Sequence, residues 1–527
     1  MKSQQSLLLC CLLLVTPTAL QAQFNYVITT NLTVTITAYT GTGGSVTIPA
    51  IVSGLAVTSI SNTTFRANSG FTNVTIPSSV TNIDASVFSA CHNLLGINVD
   101  TNNQRYSSPD GVLIDKSQST LIQCPLAKAG AYVIPSNVTA IGFAAFDGCS
   151  GLTSVTIPNS VTTMSNWAFG GCSSLANVII GNSLTSIATY AFKGCSSLAN
   201  LKISDSVISI GADAFYQCSS LANVTIGHSV TTVESQAFGF CSGLTNVLIP
   251  SNVTSVRDYA FQNCTSLASI AISNTIALID TAVFYNCSNL TTVTIANGIT
   301  SIGNSAFENC TSLTSITIPN SVTGIGGRAF YNCSGLSSVT LPSTNTTIGD
   351  SAFYGCSSLS NLAIPNGIIA IGSAAFYSCY RLNTVTIGKD VRNIGLLAFF
   401  GCSDLAGVYF QGDAPTADSS VFSGADQSII YYFPGTTGWG ASFAGRPALP
   451  IATHIQTADA SFGVRTNQFA FNVAGSYGLT FVVEATTNLI SPTWYPLQTN
   501  TLTGTSSYFS DSQWRNYPRR FYRVRWP

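Results

Sequence analysis

Twelve cysteines recur at an unbroken 23-residue step from Cys149 to Cys402. Thiols at so regular a spacing could cross-link, hold a metal or act as nucleophiles. If successive units stack, the first two uses fit poorly. Paired strands sit about 4.8 Å apart, whereas a disulfide wants Cβ atoms about 3.8 Å apart and a strict torsion. Each thiol would also face two equivalent neighbours. Zinc needs four converging ligands, and a column of thiols runs along the axis instead. The spacing therefore favours cysteine as a small buried hydrophobe. Disulfides between some neighbours are the alternative, since an exported chain meets oxidising conditions. Cys124 lies outside the ladder and could pair with Cys91.

Other chemistry is sparse. The three histidines, His92, His228 and His454, fall in separate units. HExxH, GxSxG and a phosphate-cradling glycine motif in a strand–helix setting are absent. GTGGS at 41–45 lies between β segments and reads as a hairpin turn. Asp110 and Asp115 share one segment, but two carboxylates alone do not make an acid–base pair. No catalytic residue, metal site or cofactor is expected. Only 7% of residues are charged and the net charge is −1, so no basic excess points to nucleic acid.

The elements that carry the thiols are repeats. A Phe precedes each ladder cysteine by three, from Phe146 to Phe399, and a Leu follows each by three, from Leu152 to Leu405. Beyond the Leu come apolar residues such as Val155, Ile157, Val161 and Met164. LTSITIP alternates apolar and polar residues as a short strand does. Pro or Gly often follows and ends the strand, SVTSIG reads as a second extended piece, and AFxxC reads as a tight helical or 3₁₀ turn. Phe65, Phe88 and Phe422 extend the register, with Ala425 in the cysteine place, giving 15 Phe-marked coils. A single coil cannot bury its apolar side, so neighbours must stack, and the degenerate end units serve as caps.

The segment AFENCTSLTSITIP, Ala306–Pro319, and its repeats resemble the BspA-like leucine-rich repeat of bacterial surface proteins. The resemblance covers roughly residues 46–425. It implies a right-handed leucine-rich-repeat solenoid and a role in adhesion or recognition of macromolecules. A regular asparagine after the strand, common in other leucine-rich repeats, is missing here.

The expected fold is a β-rich leucine-rich-repeat solenoid followed by a small all-β module. Residues 1–22 read as a signal peptide, with Lys2, an apolar run Leu7–Val15 and small residues before Gln23. The run continues past Cys10 and Cys11, which argues against a lipoprotein cysteine. Residues 23–57 read as an N-terminal β cap, and 58–433 as the solenoid. An insertion around 99–133 is expected as a hairpin-like excursion, since its DG and SP pairs are turn signals. Residues 434–450 read as cap tail and linker, and 451–527 as a β-sandwich-like module. That module's arginines, including Arg515, Arg519, Arg520, Arg523 and Arg525, fit either solvated strand faces or a surface-anchoring role. No later stretch has the continuous apolar length of a membrane helix.

One column suggests a binding surface. The residue after the ladder Phe is Tyr331, Tyr354, Tyr377 and Phe400 in four successive coils, with Tyr216 and Tyr285 earlier. Such a stripe could dock sugar rings or a partner protein; equally, the rings could shield the core at the outer turn. The outward polar strand face, such as Thr314, Ser315 and Thr317, is a second candidate. These features point to a secreted or surface-displayed, non-catalytic binding protein for an extracellular protein or polysaccharide. A polysaccharide-active enzyme and a purely structural surface component are the alternatives. Ice binding through Thr ladders is disfavoured because Lys202, Leu248 and Tyr409 interrupt the outward positions.

Overall fold

The computed structural model describes residues 23–525 except 345, 434, 452–453, 459, 466, 476–479 and 505. The expected signal peptide, with Cys10 and Cys11, lies outside the described residues. The chain winds into a parallel β solenoid of about 17 turns. This exceeds the 15 marked by phenylalanine because the N-terminal cap and the inserted segment each add a rung without a ladder Phe.

Each coil contributes two strands. The longer ones, such as Leu152–Ile157 and Asn177–Ile180, pair in parallel with a 23-residue offset, Val155 opposite Val178. The shorter ones are mostly two residues long, for example Ser301–Ile302 and Gly324–Ile325. Alternation decides which side faces inward: in Asn361–Ile364 the buried residues are Leu362 and Ile364, while Asn361 and Ala363 face out.

Between the strands the AFxxC stretch forms linked turns closed by i to i+3 hydrogen bonds. The Cys264 N–H donates to the Phe261 carbonyl at 3.3 Å, and the Leu267 N–H to the Cys264 carbonyl at 3.0 Å. The residue before each ladder cysteine takes positive φ, such as 56° at Asn263 and 70° at Gly355. This is the left-handed region that a type II turn requires at its third residue, and it explains the recurring Gly and Asn there.

Turns and strands enclose one dry column. From Phe146 to Phe422 the ladder rings stack with centroids 4.7–5.7 Å apart and planes within 14° of parallel. Beside it runs the cysteine column, fully buried. From Cys172 to Cys402 each thiol donates to the carbonyl of the Phe 26 residues earlier; Cys264 Sγ reaches the Phe238 oxygen at 3.2 Å. That same oxygen accepts the Cys241 N–H at 3.3 Å.

The inserted segment divides the core. Its strands Tyr106–Ser107, Leu113–Asp115 and Thr120–Gln123 pair antiparallel, in keeping with its turn signals. Thr120–Gln123 then joins the short-strand sheet in parallel with Ala140–Ile141, and Gly130–Val133 opens the long-strand sheet beside Leu152–Ile157. Cys91 belongs to the N-terminal core and Cys124 to the main one. The expected Cys91–Cys124 pairing is therefore not formed. Cys91 Sγ donates to the Phe65 carbonyl at 2.9 Å, while Cys124 packs beside Cys149, with both thiols near the Pro125 carbonyl.

At the ends, Phe24–Ile28 and Val34–Tyr39 form an antiparallel hairpin over the first coil. At the other end Arg446–Pro450 adds a strand beside Ile429–Tyr432, and Trp439 stacks on Tyr432 at 5.0 Å. Beyond it two antiparallel sheets face each other. Gln468–Ala474 supplies Phe471 and Val473, and Thr480–Thr486 supplies Phe481 and Val483, to a small core that Tyr409, Tyr431 and Phe433 of the solenoid also touch.

Candidate functional site

The turn edge of the solenoid gathers the aromatic residues. Because the chain advances one coil every 23 residues, the positions after ladder Phe residues lie in a column. Tyr331, Tyr354, Tyr377 and Phe400 form a continuous ring stack there. Their centroids are 4.6, 4.6 and 4.7 Å apart, with planes 13°, 6° and 16° from parallel. All four are half-buried.

The same column holds Glu308 one coil earlier. Its side chain is buried and accepts from Arg328 Nη2 at 2.7 Å. The Arg328 guanidinium lies 4.3 Å from the Tyr331 ring centroid, a cation–π contact. Tyr285 and Tyr216 do not join the stack. Tyr285 forms no ring pair among the described residues, and Tyr216 leans on Phe240 at 5.2 Å with a 60° tilt.

This geometry restricts what the stripe can do. Ring faces are spent on one another, so a sugar cannot lie flat on Tyr354. What remains is a row of ring edges and phenol oxygens. The hydroxyls of Tyr331, Tyr354 and Tyr377 make no hydrogen bond within the described residues. Burial, and then the neighbouring phenols of Tyr331, Tyr377 and Tyr380, push the Tyr354 phenol above its ordinary pKa. It stays protonated at neutral pH and can donate.

A second cluster was not singled out from the sequence. Trp167 and Tyr190 stack at 4.4 Å, and Lys193 Nζ lies 5.0–5.2 Å from the Trp167, Tyr190 and Tyr216 rings. Its signal was present: Trp167 and Tyr190 are 23 apart, in the column two before the ladder Phe. Arg328 belongs to that column too.

The remaining candidates serve structure. Asp110 pairs with Lys128 at the insertion. Asp115 accepts the backbone N–H groups of Ser119 at 2.7 Å and Thr120 at 2.8 Å, closing a turn. On the strand face, Ser315 and Thr317 are exposed on either side of buried Ile316. Neighbouring coils link there through their own side chains, as Asn223 Nδ2 does to Asn200 Oδ1 at 3.0 Å. Among the described residues no group of three or more His, Cys, Asp or Glu side chains is placed to hold a metal ion. None of their helices is long and apolar enough to cross a membrane.

Coils of this length, with a Leu ladder, parallel strands and almost no helix, define a leucine-rich-repeat solenoid. The BspA type leucine rich repeat region matches residues 38–109, 123–244, 208–336 and 323–437, well over half of the chain. The chain belongs to that family. Among solved structures, a leucine-rich repeat protein from Bacteroides ovatus is 24% identical, with 78% of this chain and 98% of that one covered and a TM-score of 0.53. A leucine rich cell surface protein from Faecalibacterium prausnitzii is 25% identical, covering 78% and 93%, with a TM-score of 0.36. The pneumococcal vaccine antigen PcpA is 16% identical, covering 78% and 92%, with a TM-score of 0.33. Comparison with curated proteins returns no match.

Proposed function

We propose that this chain is an exported, surface-displayed, non-catalytic adhesion protein, and that it recognises an extracellular protein or polysaccharide along the Tyr331–Phe400 stack. The observation that carries this reading is the row of three tyrosines whose ring centroids repeat at 4.6 Å and whose hydroxyls have no hydrogen-bond partner among the described residues. A regular row of donors and acceptors suits a partner that is itself repetitive and extended. Weak contacts to each coil then add along the axis. Membership of a family whose relatives include a cell surface protein supports display outside the cell. The N-terminal apolar segment supports export, and the C-terminal module is the proposed means of attachment.

The test is a glycan and matrix-protein array on the mature chain, repeated with two variants. In one, Tyr331, Tyr354 and Tyr377 become Ala, which removes the stack. In the other they become Phe, which keeps the rings and removes the hydroxyls. Both variants are expected to lose the binding seen with the parent chain. Undiminished binding by the Ala variant would dismiss the stack as the site. Binding kept by the Phe variant alone would mean that ring edges, not hydroxyls, make the contact.

A further inference from the structure

The two ends of the solenoid are closed differently. At the C-terminal end Arg446–Pro450 adds a strand, and Tyr409, Tyr431 and Phe433 pack against the core of the terminal module. At the N-terminal end Phe24–Ile28 is the edge strand of its sheet, and no strand among the described residues pairs with its outer side. The Thr29 N–H points into the hairpin, to the Thr33 carbonyl at 2.8 Å. Antiparallel ladders alternate, so the backbone N–H and C=O of Tyr26 and Ile28 point outward from the sheet.

This edge lacks the usual protection. Exposed edges in native proteins carry charge, proline or a bulge that disrupts pairing. Residues 23–65 hold no Asp, Glu, Lys, Arg or His, and the strand holds no proline. Its register shift lies between Asn25 and Tyr26; Tyr26, Val27 and Ile28 pair regularly after it. The side chains are uncovered too. Tyr26 and Ile28 stand opposite Ile36 and Val34 and so share the face that those two bury completely. Yet Tyr26 is 38% exposed and Ile28 54%, and Val27 on the other face is 52% exposed.

What covers this edge must be extended, uncharged and apolar on its core side. A second copy of the same strand meets all three conditions. Two copies of Phe24–Ile28 can run antiparallel about a two-fold axis at Val27. Tyr26 of each then pairs with Ile28 of the other, outward N–H to outward C=O, and the two Val27 side chains meet. Because the opposite end of the solenoid is covered, the contact is isologous and closes at two copies instead of running on as a fibre.

We propose that two copies of this chain associate end to end through Phe24–Ile28, with their terminal modules at opposite ends of the dimer. The strand is taken to begin the mature chain at Gln23, after the signal peptide. The contact is independent of the tyrosine stack.

Sedimentation velocity on the chain beginning at Gln23, in reductant, tests this between about 1 and 100 μM, the range expected of a small interface. The parent should shift from monomer to dimer with no larger species. Val27→Lys sets like charges against each other across the axis and should weaken association at least about tenfold. Ile28→Pro removes an outward N–H and should do the same. Leu248→Lys, at an exposed apolar position on the long-strand face, should associate as the parent does. Cross-linking reads the register. Directly opposed residues of a non-hydrogen-bonded antiparallel pair have Cα atoms about 4.5 Å apart, within disulfide reach. Val27→Cys should therefore form a covalent dimer on mild oxidation, and Ile28→Cys, which faces Tyr26, should do so at least about tenfold more slowly. If Ile28→Pro disturbs the hairpin, Val27→Lys and the cross-linking decide. A monomer at every concentration, association undiminished in Val27→Lys, or equal cross-linking of the two cysteine variants would each overturn the assignment.

Discussion

Raising the pH should unfold the solenoid, and the cysteine ladder sets where. Burial raises the thiols of Cys218, Cys287, Cys333 and Cys402 from an ordinary 9.0 to about 12. The unfolded chain releases these protons near pH 9, while the folded chain holds them to about pH 12. Their contribution to stability is therefore complete below pH 9 and is lost progressively between pH 9 and 12. At pH 10 each such thiol favours the unfolded chain by roughly 1 kcal/mol or a little more. The four together reach about 5–6 kcal/mol. Burial raises the other ladder thiols of the core as well, such as Cys241, Cys264 and Cys310, and they add with the same sign. Typical net stabilities are ~5–15 kcal/mol, so the far-UV signal should collapse by about pH 10.5, in reductant to exclude oxidation.

Tyrosines titrate in the same range, and burial raises some of them too, Tyr409 for example. The thiol share is isolated by variants. Urea stability would be measured at pH 7.5 and pH 10 for the parent and for Cys218→Ala with Cys287→Ala. The double variant starts less stable because of the space it leaves. Its drop between the two pH values should be smaller by about 2–3 kcal/mol, two thiols' worth. An equal drop would mean that these thiols do not titrate differently on folding, and the buried-column argument would fail with it.

Four substitutions probe packing and pairing. Phe261→Ala removes a ring stacked on Phe238 at 5.3 Å and Phe284 at 5.7 Å, and should cost about 3–5 kcal/mol in urea unfolding. Tyr259→Ala, two residues away and 39% exposed, should cost under about 1 kcal/mol; equal losses would contradict the placement of the Phe column. Arg328→Ala strands the buried Glu308 carboxylate and should cost about 2–4 kcal/mol, most of it recovered when Glu308→Gln is added. If the double variant is no more stable than the single one, the pair is not what holds the carboxylate.

The 23-residue period was legible because one coil equals one period, so any residue type that recurs must meet itself in space. That made the Phe, Cys and Leu columns readable without knowing the path of the chain. The same reasoning placed Tyr331, Tyr354, Tyr377 and Phe400 together, but it could not tell whether rings in a column would face outward or face each other. That choice depends on a coil spacing close to ring-stacking distance. The Arg328–Glu308 pair was missed because its partners are 20 residues apart, off the period, and meet only through side-chain reach. Residues 434–450 read as cap tail and linker from their Gly and Pro content, which gives no sign of a strand. Their strand Arg446–Pro450 is stabilised by Trp439 and Phe443 packing on Phe410, contacts between segments that share no repeat.

The hydrogen bond of the thiol explains why the ladder uses cysteine. Each ladder Phe carbonyl is buried and has two lone pairs. One accepts the N–H of the cysteine three residues on; the other faces the next coil, where from Phe146 to Phe376 the S–H of a cysteine meets it at 3.1–3.4 Å. Alanine would leave that lone pair empty and a small void beside it. Serine would supply a donor, but its hydroxyl adds a polar group to an otherwise apolar column and fills less volume. Valine would place two branches where the next turn lies. Cysteine satisfies volume and hydrogen bond at once, and its own second neighbour in the column is another cysteine under the same constraint. Repetition of the thiol is thus a consequence of repetition of the turn, and needs neither cross-linking nor catalysis to account for it.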